Sequence, residues 1–231
     1  MDNINQLMDY GLTRHEANLY ILLLLEGDLN GYEAAKKSGI SKSNTYNALA
    51  GLADKGAAYS IQAETTKYTP VPIEEFCDNK LRYLEACKKK LTKELPAKRR
   101  NQEGYITIRG EQQIQDKFVN MLKQTRERVY MVLSKERLEE VRNHLEEMIA
   151  KKIKVVIITD EGFELNGATI YYSNNKKEQI RLITDSTDVL TGDIMSRYDA
   201  NCLYSRNDNL VEVFKDALAN EIEILKMKGK K

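Results

Sequence analysis

Two glycines and a serine at fixed offsets constrain this chain more than any other feature. In the stretch 31–56, GYEAAKKSGISKSNTYNALAGLADKG, the spacing predicts one helix from Tyr32 to Ser38 and a tight turn at Gly39. A second helix is expected from a Ser41 cap to about Asp54, stopped by Gly56. Glycine accepts the left-handed backbone just past a helix end, and a serine at the N-cap accepts a hydrogen bond from an orphaned backbone N–H. Ile40 is the expected buried hinge. On the second helix Thr45, Tyr46, Leu49, Leu52 and Ala53 recur at helical spacing and are expected to pack inward. Lys42, Ser43, Asn44 and Asn47 fall mainly on the other side, beside Ser41. Short polar side chains and one cation at a helix N-terminus suit contacts to base edges and phosphates in a major groove. A helix-turn-helix that binds double-stranded DNA is therefore the first expectation.

The flanks extend that unit. Residues 2–10 read as a short amphipathic helix with Ile4, Leu7 and Met8 inward, ended by Gly11. Thr13 and Glu16 form a capping-box pattern ahead of a helix to about Glu26, on which Ala17, Tyr20, Ile21, Leu24 and Leu25 are expected inside. After Gly56 the apolar period shortens from 3.6 to 2, which predicts strands at 57–61 and 65–71 around the turn Gln62-Ala63-Glu64. A hairpin directly after such a helix is the wing of a winged helix. Lys67 is placed to reach a phosphate, whereas Tyr68 is expected to pack on the hairpin.

Bulk properties narrow the class without naming a partner. The chain has 231 residues, 42% hydrophobic and 31% charged, with a formal net charge of +1, which excludes disordered and collagen-like classes. Charge changes sign along the first domain: acids outnumber Arg14 before residue 34, whereas Lys36, Lys37, Lys42, Lys55 and Lys67 dominate up to residue 68. Cys77, Cys87 and Cys202 are scattered, and His15 and His144 are near none of them. No metal, cofactor or disulfide framework is expected. The apolar run Leu19–Leu25 is too short to span a bilayer, and the N-terminus lacks a basic leader, so a cytoplasmic protein without a membrane partner is expected.

From Ile73 a charged helix is predicted to run to Leu95, where Pro96 breaks it ahead of the basic run Lys98-Arg99-Arg100. Cys77, Leu84 and Leu91 are spaced by seven, as are Leu81, Lys88 and Leu95. This is a short heptad seam weakened by Lys88, expected to pair two copies as a coiled-coil linker. Beyond Gly104, strands are expected at 105–109, 129–133 and 154–159, alternating with helices at 111–127 and 135–151. That alternation implies a sheet with parallel pairs. Strands at 168–172, 179–184, 187–190 and 201–204 follow without long helices, with Thr184-Asp185-Ser186-Thr187 as a tight turn. Asn207 caps a last helix to about Lys226. The expected organisation is 1–72, a winged helix; 73–103, a linker helix for dimerisation through Cys77, Leu81, Leu84, Leu91 and Leu95; and 104–231, a second domain.

Three blocks carry a family resemblance: Leu12-Thr13 with Glu16-Ala17-Asn18-Leu19-Tyr20, then 38–49 (SGISKSNTYNAL), then 52–56 (LADKG). In order and spacing they resemble the TrmB-type transcriptional regulators. The resemblance implies an α+β multidomain chain: an N-terminal winged helix-turn-helix binding double-stranded DNA as a homodimer, a helical coiled-coil linker and a C-terminal α/β regulatory domain of phospholipase-D-like fold. Many relatives carry a basic residue where this chain has Ser43 or Asn44. The second domain resembles that regulatory domain through Arg181–Asp185, Val189–Asp193 and Tyr204–Asn207. Active members of the phospholipase D superfamily need HxKxxxxD. If Asp185 is its aspartate, Glu178 and Ile180 stand where the histidine and lysine belong. A carboxylate repels a phosphodiester and an isoleucine cannot neutralise it, so the fold is expected without catalysis.

The functional expectation is a sequence-specific, dimeric transcriptional regulator whose second domain binds a small-molecule effector or mediates assembly. The DNA contacts would be Ser41, Lys42, Ser43, Asn44, Asn47 and Lys67. A polar effector pocket around Asp185, Asp193, Arg197 and Tyr198 is weighed against a solvated loop. The alternatives are a protein-interaction adaptor whose winged helix leaves DNA alone, and a phosphodiesterase.

Overall fold

Side chains that close helix ends set the frame of the first domain. The computed structural model describes residues 3–62, 64–96, 104–173, 179–193 and 200–228, and the chain divides into two compact units, 1–98 and 99–231. In the first, α1 (Asn3–Asp9) leads into α2 (Arg14–Glu26). Thr13 caps α2 with both arms of a capping box: its Oγ1 accepts from Glu16 N at 3.3 Å, and its own N–H donates to Glu16 Oε2 at 2.6 Å. The buried face of α2 is Glu16, Ala17, Leu19, Tyr20 and Leu23. Leu24 and Leu25 are 43% and 78% exposed, against expectation, and Met8 of α1 is exposed too. The run of leucines carries no periodic signal of its own, and the capping box, by burying Glu16, turns the helix so that the stripe passes through Leu19 and Leu23.

The two-residue strand β1 (Leu29–Asn30) follows, then α3 (Gly31–Ser38). Asn30 and Glu33 form a second capping box at 2.9 Å in each direction. Gly39 sits at φ 71°, in the left-handed region the turn needs. Ser41 caps α4 (Lys42–Asp54), accepting from Asn44 N at 3.4 Å. Thr45, Ala48, Leu49 and Leu52 are the buried residues of α4. Tyr46 is 51% exposed and Ala53 half-buried, so the inward face is centred nearer Ala48 than expected. The tyrosine ring rests instead on Gly31, where a Cβ would stand 2.4 Å from a ring carbon.

The wing is β2 (Ala58–Ile61) and β3 (Lys67–Pro70), antiparallel, with β1 added on the far side of β3 so that Leu29 faces Tyr68. Tyr68, expected to pack on the hairpin, is half-buried against the domain core. Next, α5 (Ile73–Glu94) spans 22 residues. Its first turn belongs to the head: Phe76 is buried with its ring 5.6 Å from Tyr20 and 6.3 Å from Tyr10. Cys77 packs on the same core. The Tyr20 hydroxyl donates to Val71 O at 2.6 Å, and burial, with Cys77 nearby, pushes its pKa up to about 12. The basic run 98–100 lies outside the described residues.

The second domain is a seven-stranded sheet in the order β4-β10-β9-β8-β5-β6-β7. Its elements are β4 (Tyr105–Arg109), α6 (Glu111–Gln124), β5 (Arg128–Val132), α7 (Lys135–Glu140), α8 (Arg142–Ala150), β6 (Lys154–Thr159), β7 (Thr169–Tyr172), β8 (Gln179–Thr184), β9 (Asp188–Asp193), β10 (Asn201–Ser205) and α9 (Asp208–Lys228). The β5–β6–β7 pairs are parallel and the others antiparallel. Successive strand residues point to opposite faces, and each face has its own core. Val129, Met131, Val155, Ile157, Ile180 and Leu182 pack with α6, α7 and α8, while Val132, Ile158, Ile183 and Val189 pack with α9. The helix expected over 135–151 is broken at Val141, whose φ −111° and ψ 8° end α7 and begin α8.

Candidate nucleic-acid interface

On α4 the expected contact residues Ser41, Lys42, Ser43, Asn44 and Asn47 are all exposed, and Ala50 continues the face one turn beyond Asn47. Ser41 spends one lone pair on the cap. Thr45 turns the other way, its Oγ1 donating to Ser41 O at 3.0 Å. The Lys42 ammonium stands 5.1 Å from the centre of the Tyr32 ring, a favourable but solvent-weakened cation–π contact. Lys67, at the start of β3, is exposed. Neither Lys42 nor Lys67 has an ion-pair partner among the described residues, whereas Lys37 pairs with Glu26 at 2.6 Å.

Tyr32 and Tyr46, 56% and 51% exposed, flank this face, and sequence reasoning missed both as surface groups. The signal was present. Gly31 in the first turn of α3 is a position where any side chain would meet the Tyr46 ring.

An ion pair between a buried carboxylate and an exposed lysine positions α4. Glu16 is 6% exposed, and Lys55, at the end of α4, donates to Glu16 Oε2 at 2.6 Å and to Gly11 O at 2.9 Å. Burial opposes the charge of Glu16, yet the Lys55 and Thr13 hydrogen bonds outweigh it and hold the carboxyl below its ordinary range. Gly51 lets the helix approach: a Cβ there would lie 2.3 Å from Glu16 Oε1.

Of the residues proposed for an effector, Asp185 and Asp193 are described, and they stand at opposite ends of β9. Asp185 and Ser186 take φ of 49° and 57° in the turn between β8 and β9, whereas Asp193 closes the far end of β9, opposite Gln179 and Asn201. Arg197 and Tyr198 lie outside the described residues. The carboxylate of Asp185 accepts from the backbone N–H groups of Arg126 (3.0 Å), Glu127 (2.8 Å) and Arg128 (3.1 Å). Its acceptor capacity thus holds the loop between α6 and β5 and offsets the left-handed backbone of its own turn. Ile180, which the resemblance sets in the place of a catalytic lysine if Asp185 is the motif's aspartate, is buried in the α6–α8 core.

Beside Asp185 lies a groove of about 630 Å³ lined by, among others, Lys123, Arg126, Asp188 and Arg206. Asp188 is its buried anchor, overlooked in the sequence. Arg206 grips it at 2.6 and 3.0 Å, Thr187 Oγ1 donates at 2.9 Å, and the Tyr204 hydroxyl donates as well. Burial opposes ionisation of Asp188, but the Arg206, Tyr204 and Thr187 hydrogen bonds hold its pKa below the ordinary value. The Tyr204 hydroxyl is pushed up to about 12, first by burial and then by Asp188.

Comparison with known proteins fits this division. Residues 7–74 match the family model for the sugar-specific transcriptional regulator TrmB, and 104–214 match that for the N-terminal subdomain of the TrmB EBD. YrhO of Bacillus subtilis, described as uncharacterised, is 23% identical over 234 residues, covering 96% of this chain and 84% of YrhO. The DNA-binding HTH-type transcriptional repressor TrmBL2 of Thermococcus kodakarensis is 30% identical over 99 residues, 43% of this chain and 36% of the repressor. A solved structure of TrmBL2, described as an archaeal chromatin protein, aligns over 96% of both chains at 19% identity with a TM-score of 0.46. Nuc of Salmonella typhimurium, a phospholipase D family member, aligns over 51% of this chain and 93% of its own at 15% identity and a TM-score of 0.41. The two family models together span both domains, and the chain belongs to the TrmB family of transcriptional regulators.

Proposed function

We propose that this regulator binds double-stranded DNA in a sequence-specific way as a homodimer, laying the exposed face of α4 in the major groove and setting the wing against the backbone. The observation that carries the reading is the division of α4: Thr45, Ala48, Leu49 and Leu52 are buried while Lys42, Ser43, Asn44 and Asn47 stand clear. Lys42 and Lys67 supply the phosphate contacts, Asn44 and Asn47 the base-edge contacts, and Tyr32 and Tyr46 shield the flank. The seam of α5 joins two heads. The second domain acts without catalysis, because Ile180 is buried and Asp185 is committed to the backbone of 126–128. Its groove at Lys123, Arg126 and Arg206 is the place for an effector.

Selection of bound sequences from a random pool, followed by gel shift, tests this. Lys42→Ala with Asn44→Ala should weaken operator binding by about two orders of magnitude, as one lost base pairing and one lost phosphate contact imply, without unfolding the protein. Unchanged affinity means that another face reads the DNA. No enrichment of any sequence favours a winged helix that docks on protein.

A further inference from the structure

The exposed seam on α5 does not include all the positions that the heptad spacing suggests. Cys77 packs on the core of its own head, and Leu95 already has an extended backbone at the C-cap. What remains on the helix is Leu81, Leu84, Lys88 and Leu91, the three leucines 50%, 49% and 53% exposed. We infer that α5 pairs antiparallel with α5 of a second copy of this chain, about a dyad at Ala86. This rests on the dimeric reading above and adds the direction and register of the partner.

Three features bear on that arrangement. The first is symmetry. In an antiparallel pair, a positions face d positions, and a dyad at Ala86 sets Leu81 against Leu91 and Leu84 against Lys88 of the second copy. All three leucines are then used, with each lysine stem lying along a leucine while its ammonium reaches water. Parallel pairing in register would instead place Lys88 against Lys88 within the seam.

Charge, the second feature, accords with this register without being exclusive to it, since a parallel pair would set Lys80 beside Glu85. The antiparallel register places Lys80 beside Glu94 of the second copy at both ends of the seam. The two Glu85 side chains that approach the dyad each have Lys88 one helical turn away on their own chain.

The third is reach. The two Ile73 ends, where the heads begin, stand about 39 Å apart at 1.5 Å per residue. That separation is close to the roughly 34 Å between successive major grooves on one side of the duplex. A parallel pair would crowd both heads at one end.

The register is read out by the natural cysteines. An antiparallel pair brings Cys87 near Cys87 of the second copy and holds the two Cys77 residues about 27 Å apart by the same helical rise, whereas a parallel pair brings Cys77 to Cys77. The full chain is treated with a short bifunctional maleimide, and its mass is measured separately by light scattering. The expected result is a crosslinked dimer from the native chain and from Cys77→Ser, lost in Cys87→Ser. Crosslinking lost in Cys77→Ser and kept in Cys87→Ser overturns the proposal in favour of parallel pairing. A dimeric mass with no crosslink overturns it as well. A monomeric mass instead removes the dimeric reading beneath it. As a second check, Leu81→Cys and Leu91→Cys, each placed in the Cys87→Ser chain and then mixed, should crosslink to one another; failure to do so in a dimeric sample counts against the register.

Discussion

Glu16 and Asp188 are the charged side chains that the two domains bury, at 6% and 8% exposure among the described residues. Each is held by a cation, Lys55 in one case and Arg206 in the other. Their settings differ. Glu16 ties together consecutive pieces of one helical unit: the residue that caps its own helix, and the end of α4 that packs beside it. Asp188 sits where a strand begins, and its partners Tyr204 and Arg206 come from the next strand and the loop after it. The first site orients a helix with an exposed polar face. The second closes one wall of a groove. Removing a partner should therefore disturb a surface in the first domain and a cavity in the second.

The largest expected effect belongs to Asp188. Asp188→Asn leaves Arg206 without its bidentate partner and gives Tyr204 a weaker acceptor. Breaking a buried pair typically costs 3–5 kcal/mol, and the partly exposed Arg206 places this one at the low end, about 3 kcal/mol. Hydrogen exchange should show the loss in β9 and β10 with the first domain unchanged. An equal loss in both domains would break the comparison.

Next comes Gly51→Ala. Alanine is the better helix former by about 1 kcal/mol, yet its Cβ would collide with Oε1 of the Glu16 carboxylate, whose other oxygen, Oε2, is held by Lys55 and Thr13. A net destabilisation of about 2 kcal/mol is expected, as for overpacking in a core. In a Glu16→Ala background the same substitution should become stabilising. A double-mutant cycle measured by chemical denaturation decides, and additive effects would show that the carboxylate does not set the distance between α2 and α4.

The smallest effect is the acid response. Both carboxyls titrate below their ordinary values in the folded protein. Each therefore contributes stability that is present above the unfolded pKa, near 4, and is lost as pH falls through the folded pKa. Stability should decline from about pH 4 downward, and less steeply in Asp188→Asn and in Glu16→Gln than in the native chain. An acid slope identical in all three would assign acid sensitivity to other groups.

The same contrast explains how much could be read from the chain beforehand. The Thr13–Glu16 box, the Gly39 turn, the Ser41 cap and the extents of α5, β6 and β8 were legible because their causes are local. Asn30 and Glu33 carry an equally local pattern that was overlooked. Tyr46 misled because its period alone points inward, while the absence of a side chain at Gly31 gives it a resting place outside. The anchor at Asp188 was not legible, since it depends on the register of β9 against β10, which juxtaposes residues 16 and 18 positions away. Asp185 was noticed for its place in a catalytic motif, but its carboxylate holds backbone, and that depended on the packing of a loop almost sixty residues earlier.

Phe76 gives α5 an angular reference. With that ring fixed between Tyr10 and Tyr20, the leucine seam has a set azimuth relative to the head, and each residue of helix between them turns it by about 100°. The five positions from Phe76 to Leu81 thus act as a key cut to one phase. Inserting a single residue there would leave every leucine in place in the sequence and swing all of them about a quarter turn around the helix.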